Sequence, residues 1–256
     1  MKSSKVYQVM NSLTSNLLKK YADVEVKGKE NLENIEGGIV VANHAHASLR
    51  SKDHFLITYA FGKNIPLHFF VYSGIYEDPL MRFVLNRTKQ IPVNPGKRDS
   101  VNRDCFKLAQ KYLSRSDCVA LFPEGRTDTL AARKNNGKRY YPGLTKVLAE
   151  TDKPIIPVRL DIHKNGVEHF FKPNFDKASV VIGEPYYFHE DRGNDKYDLN
   201  TLRRKEMVDI TKMIMEEKVY SLESLIWFYH PRPPLNHEII YILQIGFVNN
   251  ILLQLY

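Results

Sequence analysis

At 256 residues, with 43% hydrophobic and 26% charged side chains, the chain has room for one large core and is neither disordered nor fibrous in composition. Two cysteines, Cys105 and Cys118, exclude a disulfide framework and a cysteine-rich metal site, and point to a reducing compartment. A net charge of +8 suits a phosphate-bearing partner: an anionic membrane face, a nucleotide-containing donor or a nucleic acid.

Residues 1–20 lack the uninterrupted apolar run of a secretory signal. They carry a helical stripe instead, Val6, Met10, Leu13, Leu17 and Tyr21, with Lys5, Gln8, Ser12, Ser15 and Lys19 elsewhere on the wheel. Such a helix either packs on the domain or lies on a membrane surface. "VEVKGKENL" (24–32) alternates like a strand and ends in a turn, and "GGIVVAN" (37–43) has the β-branched composition of a strand buried on both faces. Ser51 and Asp53 then fit the cap and first turn of a helix carrying Phe55, Leu56, Ile57 and Tyr59. "LHFFVYSG" (67–74) predicts a strand, Pro79 opens a short helix, and "QIPVN" (90–94) is a further short strand.

A longer helix is expected over about 100–115. "CVALF" (118–122) and "IIPVRL" (155–160) are buried-type strands flanking a helix in "GLTKVLAE" (143–150). "SVVIG" (179–183) is a late strand and residues 199–218 a long amphipathic helix. This alternation predicts a single α/β domain with a mixed, mostly parallel sheet flanked by helices on both faces. The expected organisation is an N-terminal amphipathic helix (1–22), a main domain (23–229) and a C-terminal hydrophobic helical appendage (230–256). Within that appendage residues 239–256 carry no charge, but Gln244, Asn249, Asn250 and Gln254 interrupt them. So short and polar a run predicts an interfacial or buried helix in preference to a membrane-spanning one.

There is no G-x-S-x-G elbow, no phosphate-binding G-x-x-x-x-G-K-[ST] loop, no G-x-G-x-x-G and no zinc spacing. The lysines and arginines form no nucleic-acid recognition motif, so no nucleic-acid partner is expected. What remains are short stretches at or just after predicted strand ends, where α/β sheets build ligand sites. The first is Asn43-His44 with Asp53. A neutral imidazole accepts a hydroxyl proton when a carboxylate holds its other N–H. The second, "QIPVNPGKR" (90–98), ends in Lys97 and Arg98. The third, "LFPEGRTD" (121–128), places Glu124 where it can bond a polyol and Arg126 where it can grip a phosphate. "IIPVRL" is apolar enough to be core.

Asn43-His44, "IPVNPGKR", "FPEGRTD" and "IIPV", in that order, resemble the blocks of the glycerolphosphate/lysophospholipid acyltransferase family, which read roughly N-H-x4-D, I-P-V-D-R, F-P-E-G-T-R-S and V-P-V. The resemblance spans about residues 24–217, taking in "VKGKENL", "YYPGLTKVLAE" and "VVIGEPYYF"; "FPEG" is its most specific part. It implies acyl transfer without an acyl-enzyme. A histidine deprotonates a glycerol hydroxyl, an aspartate orients the histidine, and the alkoxide attacks an acyl thioester of CoA or acyl carrier protein. By the same resemblance Lys97, Arg98 and Arg126 hold the acceptor's phosphate, Glu124 and Gly125 meet its glycerol, and Thr127 is a further substrate-binding residue.

The pattern departs from the family in three places. The position that should hold aspartate is Leu49 counted from His44 and Ser51 counted from His46, while Asp53 lies nine and seven residues on. The pair His44–Asp53 therefore requires an inserted loop, and His46 is the alternative base. Asn94-Pro95 replaces Asp-Arg in the second block, and Arg126-Thr127 is transposed in the third. The expected activity is O-acyl transfer to lysophosphatidate or glycerol 3-phosphate in phospholipid synthesis, with an acyl thioester as co-substrate and no cofactor or metal. The expected place is the cytoplasmic face of a membrane, peripheral or monotopic. The alternative is an inactive lipid-binding relative of the same fold.

Overall fold

The computed structural model describes residues 5–45, 53–94, 99–125, 140–149, 151–163, 177–188 and 204–223. In chain order the elements are helix α1 (Lys5–Tyr21), strands β1 (Asp23–Lys27) and β2 (Gly38–Ala42), α2 (Asp53–Phe61), β3 (Leu67–Tyr72), α3 (Pro79–Arg87), β4 (Ile91–Val93), α4 (Asp99–Leu113) and β5 (Cys118–Leu121). They continue with α5 (Gly143–Leu148), β6 (Ile155–His163), β7 (Lys177–Ile182) and α6 (Arg204–Ile214), which runs into a π-helical turn, Met215–Val219.

The strands form one seven-stranded sheet in the order β1-β7-β6-β2-β5-β3-β4. Every pairing is parallel except β6 with β7, which is antiparallel. A mostly parallel sheet must be covered on both faces, and it is. One face packs Val40, Ala42, Ile156, Val158 and Leu160 with Leu56 and Ile57 of α2 and Leu18 of α1. The other packs Ile39, Val41, Val119 and Ile155 with Ala109 and Leu113 of α4, Leu144 and Val147 of α5, and Ile214 and Met215. β2 lies between β6 and β5 and is buried at every residue, so its C-terminal end opens near the middle of the sheet edge.

Helix α1 packs differently from the expectation raised by its apolar stripe. Tyr7, Asn11, Thr14 and Leu18 are buried, whereas Val6, Met10, Leu13 and Leu17, one residue back along the wheel, are partly exposed. The reason is polar. Two side chains of the inward face reach carbonyls of α2 and of the loop beyond it, one of which, Thr58 O, also accepts from Gly62 N at 3.1 Å. Asn11 Nδ2 donates to Thr58 O at 2.8 Å and the Tyr7 hydroxyl to Ile65 O at 2.8 Å. The face that satisfies α2 turns inward, and the more apolar one stays at the rim. The C-terminal appendage lies outside the described residues, as does the part of the 199–218 helix before Arg204.

Candidate active site

The end of β2 is fixed before the first chemically active residue. Asn43 is buried; its Oδ1 accepts from Leu160 N at 2.8 Å and its Nδ2 donates to Leu160 O at 2.9 Å. The side-chain amide thus extends the β2–β6 ladder one step past Ala42–Val158 with the bonds a peptide would make. His44 leaves the sheet from this clamp.

Asp53 occupies the first turn of α2 and is 1% exposed. Its negative charge sits at the positive end of the helix macrodipole. Its Oδ2 lies 2.8 Å from His44 Nδ1. The long spacing between these residues is therefore no obstacle to their contact. Against an ionised carboxylate, which only accepts, a neutral ring would carry its proton on Nδ1 and present a lone pair at Nε2. The imidazole is a little exposed and stacks on Phe122, with centroids 4.3 Å apart and planes 14° from parallel.

Phe122 begins the third-block turn. Gly125 N donates to Phe122 O at 2.9 Å, closing a β-turn with Pro123 in the second place and Gly125 in the fourth. Gly125 has φ 69°, the left-handed region that glycine tolerates. A Cβ there would lie 2.4 Å from Tyr141 Cδ2, so the tyrosine ring closes directly over the turn. The turn points Glu124 back at β2, where its Oε2 accepts from the His44 backbone N–H at 3.2 Å. The Tyr220 hydroxyl donates to the other oxygen, Oε1. Nearby Tyr140 is pushed up to about 12, by burial first and then by Glu124 and Glu216, so it stays a neutral phenol.

The structure thus brings together His44, Asp53, Glu124 and Gly125. His46, Lys97, Arg98, Arg126 and Thr127 lie outside the described residues. Three contributors escaped the motif reading. Asn43 and Phe122 stood inside the quoted blocks, but their roles, ladder extension and ring support, show only in the fold. Tyr220 carried no sequence signal; it is 96 residues from its partner.

A histidine after the C-terminal end of a central strand, paired with a carboxylate at a helix start in an open α/β sheet, is an arrangement suited to acid–base chemistry. The chain belongs to the acyltransferase family, whose family model matches residues 23–161, more than half its length, and the protein is an acyltransferase. Its fold is similar to that in the crystal structure of the 1-acyl-sn-glycerophosphate (LPA) acyltransferase PlsC from Thermotoga maritima. The TM-score is 0.53 and the identity 19%, over 86% of this chain and 83% of that one. A search of curated proteins found no match.

Proposed function

We propose that the protein moves a fatty acyl group from a thioester of CoA or acyl carrier protein to the hydroxyl of lysophosphatidate or glycerol 3-phosphate, at a membrane surface. The observation that carries this reading is the 2.8 Å contact between His44 Nδ1 and buried Asp53 in a chain of the acyltransferase family. His44 Nε2 takes the acceptor's hydroxyl proton while Asp53 holds the ring and offsets the imidazolium charge. The acceptor oxygen adds to the thioester carbonyl, the carbon–sulfur bond breaks, and the leaving thiolate takes up the proton from His44. A thioester is already activated, so a positioned base suffices. Phe122, partly exposed and stacked on the imidazole, offers an apolar surface to a fatty chain, with buried Phe69 behind it at 6.4 Å between centroids. Arg126, Lys97 and Arg98 are the residues assigned to the acceptor's phosphate, with Glu124 and Gly125 at its glycerol and Thr127 as a further substrate-binding residue.

The membrane arm of the proposal rests on α1, whose apolar rim residues Val6, Met10, Leu13 and Leu17 are partly exposed. The basic balance of the chain suits an anionic face. Among the described residues no helix is long and apolar enough to cross a membrane.

The test is an acyl-transfer assay with acyl-CoA and acyl carrier protein donors and a panel of glycerophosphate and lysophospholipid acceptors. His44→Ala should abolish transfer. Asp53→Asn should lower kcat by roughly 10²–10⁴ with little change in either KM. His46→Ala should be mild. An active His44→Ala with a dead His46→Ala would move the base to His46. Activity surviving in all three variants would end the histidine-base reading.

A further inference from the structure

We propose that Tyr220 is a positioning residue of the acyl-transfer site, holding Glu124 so that this carboxylate in turn fixes the backbone of His44. The inference rests on His44 being the base. Tyr220 itself lies outside the family blocks, in the last described turn of the chain.

A glutamate in a turn loses side-chain rotamer freedom when it is held in one place. The bond it makes to His44 N–H, at 3.2 Å, is long for a charged acceptor. The Tyr220 hydroxyl grips the opposite oxygen and leaves the carboxylate bridging β5 and the end of β2. His44 is then restrained from both ends: its peptide N–H by Glu124, its ring by Asp53.

Tyr220 reaches Glu124 because of how its segment is built. Tyr220 N donates to Met215 O at 2.8 Å, a bond to the fifth residue back that defines the π turn. Such a turn holds one residue more than an α turn, so everything after it is rotated by about 100° from the α-helical path. Buried Met215 and Val219 pin the turn to the core. Beyond it, Arg159 Nη1 of β6 donates to Tyr220 O at 2.9 Å and to Leu222 O at 2.7 Å. Asp161 in turn accepts from Arg159 Nε at 3.1 Å. Leu222 packs over Gly183, where a Cβ would stand 3.0 Å from Leu222 Cδ2. The backbone of Tyr220 is therefore held independently of its hydroxyl, as a brace requires.

Tyr220→Phe keeps the ring and removes only the donor. In the acyl-transfer assay kcat should fall about 5- to 20-fold while the KM values of donor and acceptor stay within about two-fold. In a Glu124→Ala background the same substitution should add less than about two-fold, because its partner is gone. A packing role for Tyr220 predicts losses that multiply across the two variants. A second readout needs no activity: in ¹⁵N-labelled protein Tyr220→Phe should shift the His44 backbone amide resonance, and Tyr72→Phe should not. An unmoved amide with wild-type kcat, or multiplying losses, overturns the proposal. His44→Ala assayed alongside separates the two readings. If it is active, the base assignment fails. If it is dead while Tyr220→Phe is fully active, Tyr220 alone is dismissed.

Discussion

Gly125 and Asn43 show how little freedom some positions around the site have. At Gly125 any side chain meets two penalties together, a left-handed φ of 69° and the Tyr141 ring 2.4 Å from the new Cβ. The backbone term alone costs about 1–2 kcal/mol for an L-residue, and the contact requires Tyr141 to move. Gly125→Ala should therefore lower the melting temperature by several degrees and disturb the Glu124 turn. Thermal unfolding beside the acyl-transfer assay checks both, and an unshifted melting temperature would show that the ring swings away freely. Asn43 is as constrained: only a side chain with one acceptor and one donor in a peptide-like plane completes both bonds to Leu160.

Helix α1 separates two roles that its sequence had merged. Leu18 is 4% exposed and packs under the sheet, whereas Leu13 and Leu17 sit on the partly exposed rim. Leu18→Ala should destabilise the fold by about 2–5 kcal/mol, as cavities in cores do, and leave vesicle binding per folded molecule unchanged. Leu13→Ser with Leu17→Ser should do the reverse. Stability should shift by a fraction of that amount, while binding to anionic phospholipid vesicles falls by about ten-fold or more. Urea unfolding and vesicle co-sedimentation measure the two effects separately. Equal loss of stability in both variants would make α1 a packing helix alone.

The sheet as a whole shelters both thiols. Burial pushes Cys105 up to about 11 and Cys118 up to about 12. Both are free, and Cys118 opens β5 between Gly38 and Leu67 of the neighbouring strands. The thiolate is the nucleophile, so iodoacetamide at about pH 8 should label neither cysteine in the native protein and both in concentrated guanidinium chloride. Labelling of Cys118 should follow global unfolding, since exposing it requires the sheet to open. Unfolded thiols ionise near about pH 8.5, so native stability should fall as the pH rises through that value toward the native ones. Rapid native labelling of Cys118 would show a locally opening β5.

The order of strands and helices and the buried character of β2, β5 and β6 were legible in the sequence, because apolar period and β-branched runs report burial directly. So was the grouping of His44, Glu124 and Gly125, which follow strand ends, with Asp53 at a helix start, and the structure places His44 in contact with both Asp53 and Glu124. The sequence could not say that the residues between His44 and Asp53 leave room for a 2.8 Å contact, since spacing along a chain does not fix distance across a loop. Nor could it choose which stripe of α1 faces inward. That depended on the bonds from Asn11 and Tyr7 to the Thr58 and Ile65 carbonyls, which form only once α2 and the loop beyond it lie beside α1. The link from Tyr220 to Glu124 is the furthest from sequence: it needs a π turn, a strand arginine and a β-turn to meet, and hydrogen bonds between distant elements leave no period in the chain that makes them.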